Sequence, residues 1–277
     1  MQKCKQKLKF SKITEQDIDT LNPLQPEGWK DIRVVFKLHH GREYFSAFKG
    51  VIDDQIIVVG HIIYCGKVAW LGNIIVHPAH RKKGYANLMT SFLMDEIKQN
   101  GISNIYLLAT EMGYPVYEKL GFTLFNHYIF NSIVCLQEIL NDDSKIRKCS
   151  SSNLPAINKL DMEAMGYDRS SILKFHVHEA WVYEDKSIKG FLIPGLGDGL
   201  IISEDKQAGW ALSSKRITMG KDYLVIPEEQ QFSLRSLYEE NGFQLYPTDR
   251  IAYFMYVGEP PVVNNRMIFS RIGGYLG

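Results

Sequence analysis

The stretch from Val76 to Asn87 has the residue types needed to bind a phosphate. It reads VHPAHRKKGYAN and places three consecutive basic residues and a glycine directly before an amphipathic run. The free N–H groups and the positive dipole end of a helix N-terminus favour an anion. Gly84 would let the backbone approach that anion closely, and Ala86 keeps the same surface small. A solvated basic turn before a surface helix is the alternative that these residues alone leave open.

A second run to note is YEKLGF over residues 117–122, which begins with Tyr117. It follows an apolar, strand-like run from Ile105 to Ala109. Without further information, Tyr117 is interpreted as an aromatic side chain that packs at the start of a helix.

The elements that must position these residues can be predicted from hydrophobic periodicity. Strands are expected at Tyr44 to Ile52, Gln55 to Cys65 and Val68 to Val76, joined by tight turns into an antiparallel meander. A helix is expected at about Trp29 to His39. Apolar residues at helical spacing predict another helix from Tyr85, which the glycine at position 101 would end.

The pattern around Tyr117 recurs almost half the chain later, as YEENGF from Tyr238. Each copy follows an apolar strand-like run and precedes an aromatic one, so the order of flanking elements agrees as well. A common helix ending before a strand is the alternative. We interpret the chain as a tandem duplication with a polar boundary at Leu140 to Lys145, which predicts domains 1–140 and 141–277.

The loop and the tyrosine together resemble the two signatures of the GNAT acyltransferase superfamily. The cofactor signature of that family reads Val-x-Pro, two residues, then Arg/Gln-x-x-Gly-x-Gly/Ala. It is matched in register by Val76, Pro78, Arg81, Gly84 and Ala86. The run at Tyr117 matches the second signature at the expected distance. The resemblance covers roughly residues 6–135 strongly, and the second half is similar to the degenerate copy of bacterial tandem GNAT proteins.

The resemblance implies a fold and a reaction. The fold class would be α/β (α+β), with two tandem GNAT-like domains, each a mixed, mostly antiparallel sheet flanked by helices. The first domain would transfer an acetyl group from acetyl-CoA, its co-substrate, to a primary amine of a small molecule. A non-catalytic acyl-CoA-binding sensor and a peptide or protein N-acetyltransferase stay open as alternatives.

The resemblance also assigns roles to residues. Backbone groups of Ile74, Ile75 and Val76 would hold the pantetheine arm, which lies along the strand like an additional strand. The pyrophosphate would be held by the loop and helix start, namely Arg81, Lys82, Lys83, Gly84, Tyr85, Ala86 and Asn87. Tyr117 would be the acid. Trp29 would line the acceptor pocket, with core packing as an equal alternative.

The general base stays open at the level of sequence. Many members of the family use a glutamate on the central strand, but residues 69–73 read AWLGN and contain no carboxylate. His61, His77 and Glu111 are candidates, and Asn73 could orient a water, although each has a structural role as its alternative. An acceptor that arrives partly deprotonated would need no strong base.

The corresponding helix start in the second half reads SEDKQ over residues 203–207. Glu204 and Asp205 satisfy the helix dipole themselves and would repel a pyrophosphate. We therefore expect the second domain to bind no coenzyme A and to shape the acceptor cleft or the interface of a homodimer. The glycine-rich run at 194–199 is interpreted as a turn rather than a phosphate loop, because no basic residue lies in it.

Composition limits the classes of partner and the cellular compartment that we expect for this protein. The 277 residues carry a formal net charge of +1, so no global field favours nucleic acid or an anionic membrane. The four cysteines are scattered without a CxxC pair, which argues against zinc and disulfides. The histidine pairs at 39–40 and 176–178 would diverge on a helix and make poor metal chelates. With no apolar run of membrane-spanning length, we expect a cytoplasmic protein without a metal.

Overall fold

The computed structural model describes residues 8–135, 144–271 and 273–274. The first half contains, in order, β1 (Lys9–Lys12), α1 (Glu15–Asp19), α2 (Ile32–His39), β2 (Phe45–Ile52), β3 (Gln55–Cys65), β4 (Val68–Val76), α3 (Tyr85–Gln99), β5 (Asn104–Ala109), α4 (Tyr114–Glu118) and β6 (Thr123–Cys135). The second half contains β7 (Ile146–Lys148), α5 (Leu154–Met165), α6 (Ser170–His176), β8 (Trp181–Asp185), β9 (Ser187–Ile193), β10 (Leu200–Ser203), α7 (Lys206–Thr218), β11 (Tyr223–Pro227), α8 (Gln231–Glu240), β12 (Phe243–Val257) and β13 (Ile268–Ser270).

The helix before the meander begins later than the sequence predicts. Helix α2 starts at Ile32 rather than at Trp29, because Asp31 acts as its N-cap and accepts a hydrogen bond of 2.9 Å from the backbone N–H of Arg33. The Gln25 side chain donates to the Trp29 carbonyl at 3.0 Å and holds that residue in the preceding turn. The predicted start at Trp29 was therefore wrong by three residues.

The strands form two sheets. An eight-stranded sheet has the order β1-β2-β3-β4-β5-β12-β6-β11, and a five-stranded sheet has the order β13-β10-β9-β8-β7. Strand β4 pairs with β5 in parallel, and the other pairs between described strands are antiparallel. The predicted fold class, mixed and mostly antiparallel sheets flanked by helices, is confirmed.

The two halves exchange strands. Strand β12 of the second half lies between β5 and β6, where Tyr253 faces Ala109 on one side and His127 on the other. Strand β6 of the first half in turn lies between β12 and β11. The sequence predicts each of these strands but not its partner. The predicted boundary at 140/141 lies outside the described residues, and the division into domains 1–140 and 141–277 stays a prediction.

The central strands β4 and β5 have one face toward α3 and the other toward the second half. Leu71 and Leu107 belong to a buried cluster with Met89 and Leu93 of α3. Trp70, on the opposite face of β4, belongs to a larger buried cluster that continues into the second half. Each large apolar side chain buried here stabilises the fold by about 1.5–3 kcal/mol. Burial therefore stabilises the packing of the sheet against α3 on one face and against the second half on the other.

Candidate functional site

The parallel strands β4 and β5 separate halfway along their length. Their pairing ends at Leu71 and Leu107. Beyond this point β4 is bent by a bulge, where Asn73 adopts a left-handed φ of 46° and the register against β3 shifts. Among the described strands, none pairs with the edge of β4 over residues 72–76 that faces β5, and we call this edge the slot. An extended ligand with amide groups can hydrogen-bond to such an edge.

The loop after the slot leads into α3, whose first turn is uncapped. Gly84 is the N-cap residue with a left-handed φ of 85°, and no side chain donates or accepts a capping hydrogen bond there. The first helical bond runs from the Leu88 N–H to the Gly84 carbonyl at 3.1 Å. A Cβ built on Gly84 would meet nothing within 4 Å. No side chain of the described residues therefore caps the first turn, which leaves its N–H groups available to an anion.

The basic residues of this loop hold its shape as well as supply charge. Arg81 Nε donates to the Val76 carbonyl at 3.4 Å, and Lys83 Nζ donates to the Ala79 carbonyl at 3.0 Å. Lys82 adopts a left-handed φ of 61°. Within the described ranges, none of these three side chains forms an ion pair with a carboxylate. Their charge is therefore available to a ligand.

Tyr117 lies on α4, on the α3 side of the sheet. It packs against the same apolar cluster as Ile74 and Val76 of the slot and Tyr85 of α3. Its ring stands edge-on to Phe122, with centroids 5.8 Å apart. Burial raises the pKa of Tyr117 above its ordinary value, and its hydroxyl has no hydrogen-bond partner among residues 8–135, 144–271 and 273–274. The phenol therefore stays protonated and has a proton to donate.

Comparison with known proteins gives a consistent result. A family model described as an acetyltransferase (GNAT) domain matches residues 41–124. The uncharacterised N-acetyltransferase YitH of Bacillus subtilis (strain 168) is 25% identical over 151 residues, which is 53% of this chain and 52% of YitH. The aligned part thus spans about half the length of that relative.

Solved structures share the fold over nearly the whole chain. A candidate acetyltransferase from Pyrococcus horikoshii superposes with a TM-score of 0.81 at 17% identity, over 98% of this chain and 96% of that one. A tandem GNAT protein from the clavulanic acid biosynthesis pathway gives 0.59 at 8% identity, over 91% and 98%. Residues 41–124 therefore match a GNAT domain, and this part of the chain contains the slot, the basic loop and Tyr117.

The candidate bases are spread around the slot of the GNAT domain. His61 lies on β3 opposite Gly72, fully buried with its ring 4.9 Å from that of Phe45. His77 Nδ1 accepts the Ala79 N–H at 3.2 Å and so caps a short turn. Glu111 is exposed at the end of β5. The geometry singles out none of these, nor Asn73 in the bulge, and the base stays open.

Trp29 lies in the loop before α2 and is 40% exposed. Core packing therefore accounts for only part of its indole surface. This position is compatible with a pocket wall, and its predicted role in acceptor binding stays a prediction.

The corresponding elements of the second half are closed by the chain itself. Asp205 is the N-cap of α7 and accepts the Ala208 N–H at 2.8 Å, and Glu204 pairs with Lys189 at 2.5 Å. Strand β13 pairs with β10, the counterpart of β4 in element order. The prediction that this half binds no coenzyme A stays a prediction, and these contacts support it.

The glycine-rich run at 194–199 is a turn between β9 and β10, as predicted. A buried arginine from α7 fixes it, because Arg216 donates to the Asp198 carbonyl from Nε at 3.0 Å and from Nη2 at 2.7 Å. The segment after α5 is also structural. Arg169 and Asp161 form a fully buried ion pair with Nη2 and Oδ1 at 2.6 Å.

Sequence reasoning missed two residues of the second half that lie near the slot. Tyr167 packs on Trp70 of β4, with ring centroids 6.3 Å apart. The Arg271 guanidinium lies 5.8 Å from the same Trp70 ring. Neither residue belongs to a recognisable motif, and each is far from the GNAT domain in sequence, so no local signal points to them.

Two negative findings apply to the described part of the chain. No helix there is long and apolar enough to cross a bilayer. No group of three or more histidine, cysteine or acidic side chains there could hold a metal ion.

Proposed function

We propose that this protein is an N-acetyltransferase that moves an acetyl group from acetyl-CoA to the primary amine of a small molecule. The observation that carries the proposal is the juxtaposition of three features in one domain. These are the unpaired slot on β4, the uncapped first turn of α3, and Tyr117, which packs against the same apolar cluster as residues of both.

Acetyl-CoA would use the slot and the loop together. Backbone groups of Ile74, Ile75 and Val76 would hydrogen-bond to the two amides of the pantetheine arm. The pyrophosphate would accept hydrogen bonds from the backbone N–H groups of residues 82–87. The charges of Arg81, Lys82 and Lys83 would strengthen that contact.

Acetyl transfer then requires two proton movements. The amine nitrogen attacks the thioester carbonyl, an oxyanion forms, and the carbon–sulfur bond breaks as the amide forms. Tyr117 would donate its proton to the departing thiolate and regain one from solvent, while the attacking nitrogen loses a proton to water or to a base. Because burial raises the pKa of Tyr117, the phenol is available as an acid throughout the neutral range.

A non-catalytic sensor of acyl-CoA is the second candidate, and one observation favours it. The segment of β4 that runs into the slot, residues 69–73, contains no carboxylate that could deprotonate an amine. A sensor would bind the thioester and never turn it over.

One measurement separates the two candidates. Acetyl-CoA is titrated into the protein by calorimetry, and free thiol release is then followed with a panel of amines, amino acids and peptides. Turnover with small amines is the expected result. Tight binding without thiol release for any acceptor would favour the sensor, preference for peptides would favour a protein N-acetyltransferase, and absence of binding would overturn all three.

A further inference from the structure

Three arginines are buried in the described part of the chain. Arg169, Arg216 and Arg271 are 2%, 0% and 3% exposed. A guanidinium taken out of water loses its hydration, and this loss is destabilising unless hydrogen bonds or an opposite charge replace it. The hydrogen-bond and ion-pair partners of each arginine therefore show whether its charge stabilises the fold or remains available to a ligand.

Two of the three are satisfied by the protein. Arg169 makes a two-point contact with the Asp161 carboxylate, at 3.0 Å from Nε and 2.6 Å from Nη2. Arg216 donates to the backbone carbonyls of Asp198 and Tyr223, each at 2.7 Å from Nη2. Both arginines hold the fold together and leave nothing for a ligand.

Arg271 is different. Its Nε and Nη1 atoms are shielded from solvent and have no hydrogen-bond partner. Its carbon Cζ instead lies over aromatic rings, 4.1 Å from the centroid of Tyr128 and 5.5 Å from that of Phe254. Such contacts stabilise the charge by about 0.5–2 kcal/mol, but they leave Nε and Nη1 without an acceptor among the described residues.

Other unused hydrogen-bond donors surround this guanidinium. The indole Nε1 of Trp70 and the hydroxyl of Tyr167 are also buried and have no hydrogen-bond partner among the described residues. An indole N–H can only donate, and a phenol readily does so. The nearby carboxylate of Glu229 is engaged elsewhere, since it accepts hydrogen bonds from Asn126 and Asn265. The donors of this cluster therefore outnumber its acceptors, and a carboxylate would supply the acceptors that are missing.

The cluster lies beside the slot, on the face of the sheet opposite α3. Trp70 pairs with Tyr106 one residue before β4 and β5 separate. The next inward residue of β5, Leu108, lies against Gly274, just after Arg271 in the chain. Since α3 covers the other face, the cluster with Arg271 lies on the face of the sheet that the second half covers.

We infer that Arg271, with Trp70, Tyr128 and Tyr167, forms a subsite for a carboxylate of the acceptor. The acceptor would then be an amino acid or another amine that carries a carboxylate, and its carboxylate would be held while its amine faces the slot. This inference rests on the proposed function. It also gives the second half a role, because Tyr167 and Arg271 both come from it.

The test measures binding and does not depend on turnover. The twenty N-acetyl amino acids and their carboxamides serve as product analogues, titrated by calorimetry into the full chain saturated with coenzyme A. At least one acid is expected to bind about 10- to 100-fold more tightly than its amide, as charge-assisted hydrogen bonds predict. Equal affinity of every acid and its amide would overturn the inference without any variant being needed.

Variants test which residues cause the preference for the acid over its amide. Arg271→Met should bring the acid-to-amide ratio to about one, and it should fold because it removes a buried charge without hydrogen bonds. Tyr167→Phe deletes one hydroxyl and should lower the ratio by about 3- to 10-fold. The matched control is Arg216→Met, which loses its carbonyl contacts and thermal stability but should keep the ratio. A ratio unchanged in Arg271→Met would remove Arg271 from the subsite.

The outcomes also separate this inference from the proposed function. Turnover of simple amines together with equal binding of acids and amides would refute the carboxylate subsite and leave the acetyltransferase standing. Selective binding of acids without thiol release from any amine would support the subsite and count against the enzyme.

Discussion

Helices α3 and α7 occupy the same position in the element order of the two halves, yet the first turn of α3 has no side-chain cap and the first turn of α7 has one. Helix α3 begins at a left-handed glycine, Gly84, with no side-chain cap. Helix α7 begins at Asp205, whose carboxylate accepts the Ala208 N–H at 2.8 Å. A helix start becomes an anion site only where the protein leaves its own N–H groups unsatisfied.

The strands beside these helices differ in the same way. The edge of β4 that faces β5 has no partner after Leu71 among the described strands, whereas β10 is paired with β13. Phe269 of β13 packs on α7 at Gly209, where a Cβ would lie 2.3 Å from the ring. The second half therefore fills with its own chain the two places that the first half leaves open. Duplicated folds can thus diverge by self-occupation of a site as well as by loss of a motif.

The largest expected effect concerns the open helix start. Gly84→Glu should lower affinity for coenzyme A at least 100-fold, because it adds a negative charge beside the pyrophosphate and strains a left-handed position. The measurement is a calorimetric titration. Gly101→Glu is the matched control: it lies at the other end of α3, has a φ of 74° and also has open space around it. Equal loss of affinity in both variants would show that α3 stability, rather than its first turn, governs binding.

The second prediction compares the two equivalent tyrosines. Tyr117→Phe should lower kcat about 100-fold or more while binding of acetyl-CoA is retained, because the departing thiolate loses its proton donor. Tyr238, which opens the second copy of the motif, is fully buried in the other half. Tyr238→Phe should leave kcat unchanged. Full turnover by the Tyr117 variant, measured by thiol release, would remove it as the acid.

The third prediction concerns the seam between the halves, where the ring of His39 lies 5.9 Å from that of His176. Burial, with His61, His176 and Arg42 nearby, lowers the pKa of His39 to about 3. The unfolded chain takes up a proton at this residue below pH 6.5 and the folded chain does not. Stability is therefore full above pH 6.5 and falls as the pH drops toward 3.

Between pH 7 and pH 5 this single residue should lower the free energy of unfolding by about 2 kcal/mol. Urea unfolding at the two pH values measures the loss, and His39→Gln should reduce it by that amount. The neighbouring His40 is exposed, so His40→Gln should leave the loss as in the wild type. An identical pH dependence in all three proteins would contradict the assignment.

The smallest expected effect is at the closed helix start. Asp205→Ala removes the cap of α7 and should lower the free energy of unfolding by about 1 kcal/mol. Calorimetry should still give one coenzyme A per chain, because β13 continues to occupy the edge of β10. A second binding event in this variant would show that the cap alone had closed the site.

Much of the fold can be predicted from local pattern. Strand β3 spans Gln55–Cys65 and β4 spans Val68–Val76, both as the sequence predicts. Thr14 and Asp17, three residues apart in sequence, form a capping box at the start of α1, with the Asp17 side chain accepting the Thr14 N–H at 2.8 Å. Local signals do not predict that β12 pairs with β5 and β6, since strand pairing depends on contacts between residues more than a hundred positions apart.

The residues of the candidate site also divide into those that the local sequence predicts and those that it does not. The sequence alone predicted the turn and helix start after β4 and the helix that carries Tyr117, because residues close in the chain build such elements by local hydrogen bonding. Their roles in binding and catalysis stay predictions. Only the tertiary structure decided that Tyr167 and Arg271 lie beside Trp70, since burial and sheet pairing bring distant segments together. Whether the guanidinium of a buried arginine is satisfied depends on atoms from the whole chain, and no spacing in the sequence encodes that.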